Sequence, residues 1–282
     1  MEQEIIKEGK VISVINMKGG VGKTSISTGI SDFLANMGHN TLFIDIDPQY
    51  NGTQTLLTYY KNEDFYQKIL DTEKTICKLF QTKKKLGEAN IVPDKEEIIV
   101  ELKKNLDIIC GDLNLITINN SIENRLSAKL NKFIEKNNLK NIYDFIIIDC
   151  PPTLTIYTDS ALIASDYYFI PNKIDRYSII GIDLLQEAIK DLINDHSLKL
   201  ECIGLVYTLV DEKASPVKQE RLKNIFESKN IVKEIEIFNS KFRYISSMCL
   251  GEQGPLATLY KGSCEDIESI TLELIKKIEE RS

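Results

Sequence analysis

The run Asn16-Met17-Lys18-Gly19-Gly20-Val21-Gly22-Lys23-Thr24-Ser25 constrains this chain more than any other feature. It follows the apolar stretch Val11-Ile12-Ser13-Val14-Ile15 and opens a helical pattern in which Ile26, Ile30, Phe33, Leu34 and Met37 recur. A strand, a glycine-rich turn and Gly-Lys-Thr at a helix start make a phosphate cradle. Its glycines let backbone N–H groups approach the phosphates, Lys23 reaches the β- and γ-phosphates, and Thr24 offers its hydroxyl to Mg²⁺. The run departs from the ordinary G-x-x-x-x-G-K-[ST] spacing. Its first glycine would fall on Met17, and a second lysine, Lys18, stands at the start of the turn.

Apolar runs at 11–15, 41–46, 106–110, 145–149, 167–171 and 202–209 alternate with helical patterns. Most are apolar on both faces, as buried parallel strands are. Gly38 stands where the first helix needs a left-handed end. The expected fold is α/β, a doubly wound and mostly parallel sheet flanked by helices, with ligands at the carboxyl ends of the strands. The segment at about 59–105 is rich in Lys and Glu and reads as helices and loops inserted after the second strand. Its Lys83-Lys84-Lys85 triplet reads as a solvated turn. One domain over 1–282 is expected.

Two further elements fall where a nucleotide site needs them. Asp45-Ile46-Asp47-Pro48-Gln49 ends the second strand, and strand-end carboxylates in such a sheet project into the ligand crevice. Phe145-Ile146-Ile147-Ile148-Asp149 is an apolar strand ending in an acid, a Walker B arrangement whose carboxylate helps hold Mg²⁺.

The bulk numbers narrow the partners. The net charge of −7 makes the chain as a whole no magnet for nucleic acid, so DNA contact needs a local basic patch. The six cysteines are scattered without a C-x-x-C pair, which points away from disulfide or metal use and toward a reducing cytosol. Neither a signal peptide nor a membrane-length apolar run is read, and a cytoplasmic location is expected.

Lys18-Gly19-Gly20-Val21-Gly22-Lys23-Thr24, Asp45-Ile46-Asp47-Pro48-Gln49 with Asn51, and Asp149-Cys150-Pro151-Pro152 resemble the deviant Walker A ATPases, and within them the ParA/Soj partition proteins. Ile170-Pro171 before Tyr177-Ser178 and Gly181, Gly204-Leu205-Val206 with Thr208, and Gly254-Pro255-Leu256 extend the likeness to about residues 10–280.

The resemblance implies ATP and Mg²⁺ as ligands, bound through Lys18, Gly19, Gly20, Val21, Gly22, Lys23, Thr24 and Ser25. It also implies a nucleotide-sandwich homodimer in which Lys18 reaches the partner's phosphates. Asp47 orients or activates the attacking water, Thr24 binds Mg²⁺ directly, and Asp45 and Asp149 support the metal. Further implied properties are weak hydrolysis stimulated by a centromere-binding ParB-type protein, non-specific DNA binding, and nucleoid association in the ATP state. Relatives with an N-terminal helix-turn-helix domain bind operators; here the first strand begins near residue 11, as in the short type. Where many relatives carry Ile-Pro before a basic residue, this chain reads Ile237-Phe238-Asn239-Ser240-Lys241-Phe242-Arg243. Lys241 and Arg243 are the candidate DNA contacts; the alternative is an ordinary solvated basic pair.

Other branches of the superfamily make distinct demands. A MinD-like membrane-cycling ATPase needs a basic amphipathic C-terminal helix. Here the stripe Ile267, Ile270, Leu274 and Ile278 is flanked by Glu265, Asp266, Glu268 and Glu273, which anionic lipid repels, so docking on the core is expected. An iron–sulfur member needs a second cysteine placed to match Cys150, and a tyrosine kinase needs a terminal tyrosine cluster. A dethiobiotin-synthetase-like ligase stays open on chemistry alone.

Overall fold

The computed structural model describes residues 8–62, 64–81, 92–118, 126–175 and 178–281, with the backbone alone for 178–180. Lys83-Lys84-Lys85 and Tyr177 lie outside the described residues. Eight strands form one sheet: β1 (Lys10–Val14), β2 (Thr41–Asp45), β3 (Val100–Lys103), β4 (Leu106–Ile109), β5 (Phe145–Asp149), β6 (Tyr167–Lys173), β7 (Glu201–Val210) and β8 (Ile237–Arg243). Their order is β3-β4-β2-β5-β1-β6-β7-β8, and every pair is parallel except β3 with β4.

The double-sided apolar pattern has its reason in the two cores. On β1, Val11 packs into one and Ile12 and Val14 into the other; on β5, Ile146 and Ile148 face one side and Phe145 and Ile147 the opposite. All seven are at most 1% exposed. Burying each such side chain stabilises the fold by roughly 1.5–3 kcal/mol.

One core is covered by α1 (Lys23–Asn36), α2 (Asn51–Tyr60) and the long C-terminal helix Lys261–Glu279. Beneath the other lie helices Lys129–Lys136, Ile156–Ile163 and Ser178–His196. Gly38, at φ 99°, ends α1 in the left-handed conformation, with the His39 N–H donating to the Leu34 carbonyl at 3.1 Å.

The segment read as helices and loops after β2 contains helical pieces, including α3 (Phe65–Asp71), but also the strand β3. β3 is a four-residue edge strand. Val100 and Leu102 are buried while Glu101 is exposed, and a two-residue alternation of this kind is hard to see among so many Lys and Glu. β8 is the opposite edge. Its apolar side chains Phe238 and Phe242 are interleaved with polar ones. The C-terminal helix shields that edge with carboxylates: Glu273 accepts from the N–H groups of Asn239 (2.8 Å) and Ser240 (2.9 Å), and Asp266 from that of Arg243 (2.7 Å).

The C-terminal helix docks as its stripe predicts. Ile267, Ile270, Leu274 and Ile278 are each at most 1% exposed. Gly29 on α1 makes the approach possible, since a Cβ there would lie 2.8 Å from Ile267 Cδ1. Among the described residues no helix is long and apolar enough to cross a membrane. Ile270→Ala should cost about 2–5 kcal/mol, whereas the half-exposed Leu272→Ala should change stability by about 0.5 kcal/mol or less. Urea midpoints of the two variants test the docking. Equal midpoints would mean that this helix is not part of the core.

Candidate nucleotide site

β1 lies between β5 and β6; the chain runs from β1 to β2 on one side and from β5 to β6 on the other, and this reversal leaves a crevice at the carboxyl ends of these strands. The turn after β1 fills that crevice. Gly20 (φ 69°) and Gly22 (φ 85°) hold left-handed conformations that a side chain would resist, and Gly22 caps α1. No side chain caps this helix start and no acid stands in its first turn, so its N–H groups remain available to an anion.

The crevice is a cleft of about 460 Å³. It is lined by Gly19, Gly20, Gly22, Lys23, Thr24 and Ser25 of the turn and helix start, by Asp47, Gln49, Asn51 and Pro152, and by Leu209, Met248, Cys249 and Pro255. Lys23 is only 7% exposed and donates to the Lys18 carbonyl at 3.2 Å. Burial lowers its pKa, and the carboxylates of Asp149 and Asp47 oppose that shift. The N–H of Lys18 is held by Asn16 Oδ1 (2.9 Å), and its ammonium is paired with Asp175, just past β6.

Thr24 donates its hydroxyl to Asp149 Oδ2 at 2.7 Å. The other oxygen of Asp149 is buried without a hydrogen-bond partner. Burial pushes this carboxyl up to about 6, while the Thr24 hydroxyl and Lys23 pull it down. An orphaned buried carboxylate oxygen is expensive, and a divalent cation would satisfy it. A threonine hydroxyl beside a carboxylate is an all-oxygen donor set suited to Mg²⁺. Asp47 lines the cleft, with its Oδ1 accepting from the Gln49 N–H at 2.9 Å.

Asp45, expected beside the metal, is placed differently. It is wholly buried and is not among the residues lining the cleft. Its Oδ2 accepts from the N–H (2.7 Å) and hydroxyl (2.8 Å) of Thr53, and its Oδ1 from the Asp47 N–H (3.3 Å). Burial and the neighbouring Asp149 raise its pKa. Two of the strand-end acids thus separate by direction: Asp47 faces the cleft, and Asp45 faces the start of α2.

The two basic candidates also separate. Lys241 has a half-exposed side chain beside Glu212 (3.1 Å). Arg243 is built into the fold: its guanidinium donates to Asp266 (2.9 Å), Glu265 (3.2 Å) and the Gly262 carbonyl (2.9 Å), and the acids raise its pKa. A guanidinium committed to three internal acceptors is poorly placed to bind phosphate.

Leu209, Met248 and Pro255 line the cleft without a sequence signal that marked them as ligand contacts. Only Gly254-Pro255 belonged to a recognised pattern. Leu209 carries a left-handed backbone, φ 51°, which no residue type announces.

Comparison with known proteins agrees with this geometry. The AAA domain family, AAA_31, matches residues 9–202. The sporulation initiation inhibitor protein Soj of Bacillus subtilis is 31% identical over 226 residues, covering 78% of this chain and 81% of Soj. Two solved structures share the fold. A plasmid partition protein of Borrelia burgdorferi bound to AMPPNP superimposes with a TM-score of 0.71 at 23% identity, over 96% of this chain and all of that one. Cobyrinic acid a,c-diamide synthase of Mycobacterium smegmatis gives 0.74 at 18% identity, over 97% of each chain. A phosphate cradle on a doubly wound sheet, with the Soj likeness running through most of its length, places the chain in the ParA/Soj family of partition ATPases.

Proposed function

We propose that this chain is a Mg²⁺-dependent ATPase that closes into an ATP-sandwich homodimer. In that state it binds DNA non-specifically and moves a plasmid or chromosome with a ParB-type centromere-binding partner. The observation that carries the chemistry is the orphaned Asp149 oxygen beside the Thr24 hydroxyl and the buried Lys23. Lys23 and the N–H groups at the start of α1 bind the β- and γ-phosphates. Thr24 and Asp149 hold Mg²⁺, which when bound neutralises charge on the phosphates. Asp47, facing the cleft, orients the attacking water. The partner's Lys18 adds a cation where charge gathers, which ties hydrolysis to dimerisation. Hydrolysis by the protein alone is slow, and the ParB-type partner accelerates it.

The buried apolar stripe of the C-terminal helix supports this reading over a membrane-cycling one. The fold shared with cobyrinic acid a,c-diamide synthase does not separate a partition ATPase from a metabolite ligase; the Soj likeness favours the former.

DNA binding tests the proposal. With a net charge of −7, a single copy binds DNA weakly; the dimer presents two copies of the surface that carries Lys241. Anisotropy with random duplex DNA should give a Kd of about 10⁻⁴–10⁻⁶ M that weakens steeply with salt, and only with ATP. Lys241→Ala should weaken binding to all sequences alike and reduce the salt slope by roughly one. Arg243→Ala should instead lower the thermal midpoint, since it removes the guanidinium from Asp266 and leaves it only the backbone N–H. Strong binding without nucleotide, or none with ATP at low salt, would overturn the partition reading.

A further inference from the structure

The turn that carries Asp47 is enclosed on the side away from the cleft. Asp45 Oδ1 accepts from the Asp47 N–H, and Asp45 Oδ2 is occupied by Thr53 through both N–H and hydroxyl. The Thr53 hydroxyl in turn accepts from the N–H of Gly111 at 2.7 Å. The carbonyl of Gly111 accepts from the Tyr66 hydroxyl at 3.0 Å. Tyr66, on α3, stacks on Tyr50 with ring centroids 5.2 Å apart and an interplanar angle of 20°. Tyr50 closes the circuit, its N–H donating to the Asp47 carbonyl at 2.8 Å.

The ring is tight. A Cβ on Gly111 would lie 2.8 Å from Tyr50 Cβ and 2.9 Å from Asp45 Cγ; one on Gly52 would lie 3.2 Å from Asp45 Oδ2. Tyr50 holds a left-handed backbone, φ 43°, unfavourable for a residue with a side chain and needing support from its surroundings. Each contact leads back to one turn, and that turn presents a single carboxylate, Asp47, to the cleft.

We infer that Asp45, Thr53, Gly111, Tyr66 and Tyr50 form a positioning ring for Asp47, so that the segment between β2 and β4 governs the rate of ATP hydrolysis. This inference rests on the role of Asp47 proposed above. Asp45 then acts through the turn and not as a metal ligand, because the hydrogen bonds its carboxylate accepts come from the turn and from α2. Tyr66 is the one member contributed by the inserted segment, so an event that moves α3 changes turnover without touching the phosphates.

Single-turnover ATP hydrolysis, fluorescent-nucleotide binding and Mg²⁺ titration of the full chain test the ring. Thr53→Val and Tyr66→Leu should each slow hydrolysis by about tenfold to a hundredfold, the scale of a misplaced catalytic group. Nucleotide affinity and the Mg²⁺ concentration at half-maximal rate should stay at wild-type values. Thr53→Ser, which keeps the hydroxyl, should restore most of the rate lost in Thr53→Val, and Tyr66→Phe, which keeps the stack, should fall between wild type and Tyr66→Leu. Wild-type rates in both Thr53→Val and Tyr66→Leu would overturn the inference. So would a raised Mg²⁺ requirement in Thr53→Val, or a Thr53→Ser no faster than Thr53→Val. If Thr53→Val melts early, the Tyr66 pair decides alone. Asp47→Ala, measured alongside, separates the two readings. If it hydrolyses like wild type, the proposed function fails; if it stalls while the ring variants do not, only the ring fails.

Discussion

Lys23→Ala should remove tight ATP binding. Lys23 is a 7%-exposed cation at the start of α1, set between the turn carbonyl of Lys18 and the carboxylates of Asp149 and Asp47. Its removal takes away the main positive charge for the β- and γ-phosphates. It also leaves Asp149, already pushed up to about 6 by burial, without the cation that favours its charged form. Losing one partner of a buried charge pair costs about 2–5 kcal/mol, which corresponds to a Kd raised by roughly thirtyfold to several thousandfold. Calorimetry with ATP and Mg²⁺ reads this directly. Lys23→Arg should not restore wild-type affinity, because a planar guanidinium presents its donors in a fixed fork and not as the compact point charge that Lys23 brings beside the Lys18 carbonyl. Tight ATP binding by Lys23→Ala would sink the site assignment.

The parts of this site that the sequence made legible are those fixed by backbone chemistry. Gly20 and Gly22 announce the left-handed turn, Lys23 and Thr24 follow at fixed positions, and the apolar run 145–149 can end in a buried acid only where that acid has work to do. Six strands were legible because their residues are buried on both faces. β3 and β8 were not, because an edge strand buries one face and its charged face reads as a loop. The direction of a side chain was also hidden. Asp45 and Asp47 are two residues apart and read as equivalent acids, yet one faces the start of α2 and the other the cleft. What separates them is long-range. Thr53 is eight residues on, and Gly111 reaches the network from beyond β4. Arg243 posed the same difficulty, since the carboxylate that claims it lies 23 positions away on the C-terminal helix.

Asp47→Ala and Lys18→Ala should shift the oligomeric state in opposite directions. Asp47 is the carboxylate that lines the cleft just past the end of β2, with its Oδ1 accepting from the Gln49 N–H, and a carboxylate is not a group that binds phosphate. Its loss should leave ATP binding in place and slow hydrolysis by about 10²–10⁴-fold, the usual contribution of a general base or water-orienting group. The ATP dimer then has no exit and accumulates. In the proposed mechanism Lys18 acts before hydrolysis. Its side chain is 28% exposed and paired with Asp175, itself 31% exposed. A partly exposed pair is screened by water, so the ammonium can exchange Asp175 for a partner's phosphates. Lys18→Ala should therefore bind ATP as a monomer, because it removes a contact made only across the interface. Light scattering with ATP and saturating Mg²⁺ distinguishes the outcomes: a reversible dimer for wild type, a persistent dimer for Asp47→Ala, a monomer for Lys18→Ala. The double variant should be monomeric, since the block at hydrolysis matters only after two copies have met. Wild-type protein that stays monomeric with ATP would overturn the switch, and a dimeric Lys18→Ala would remove Lys18 from the interface.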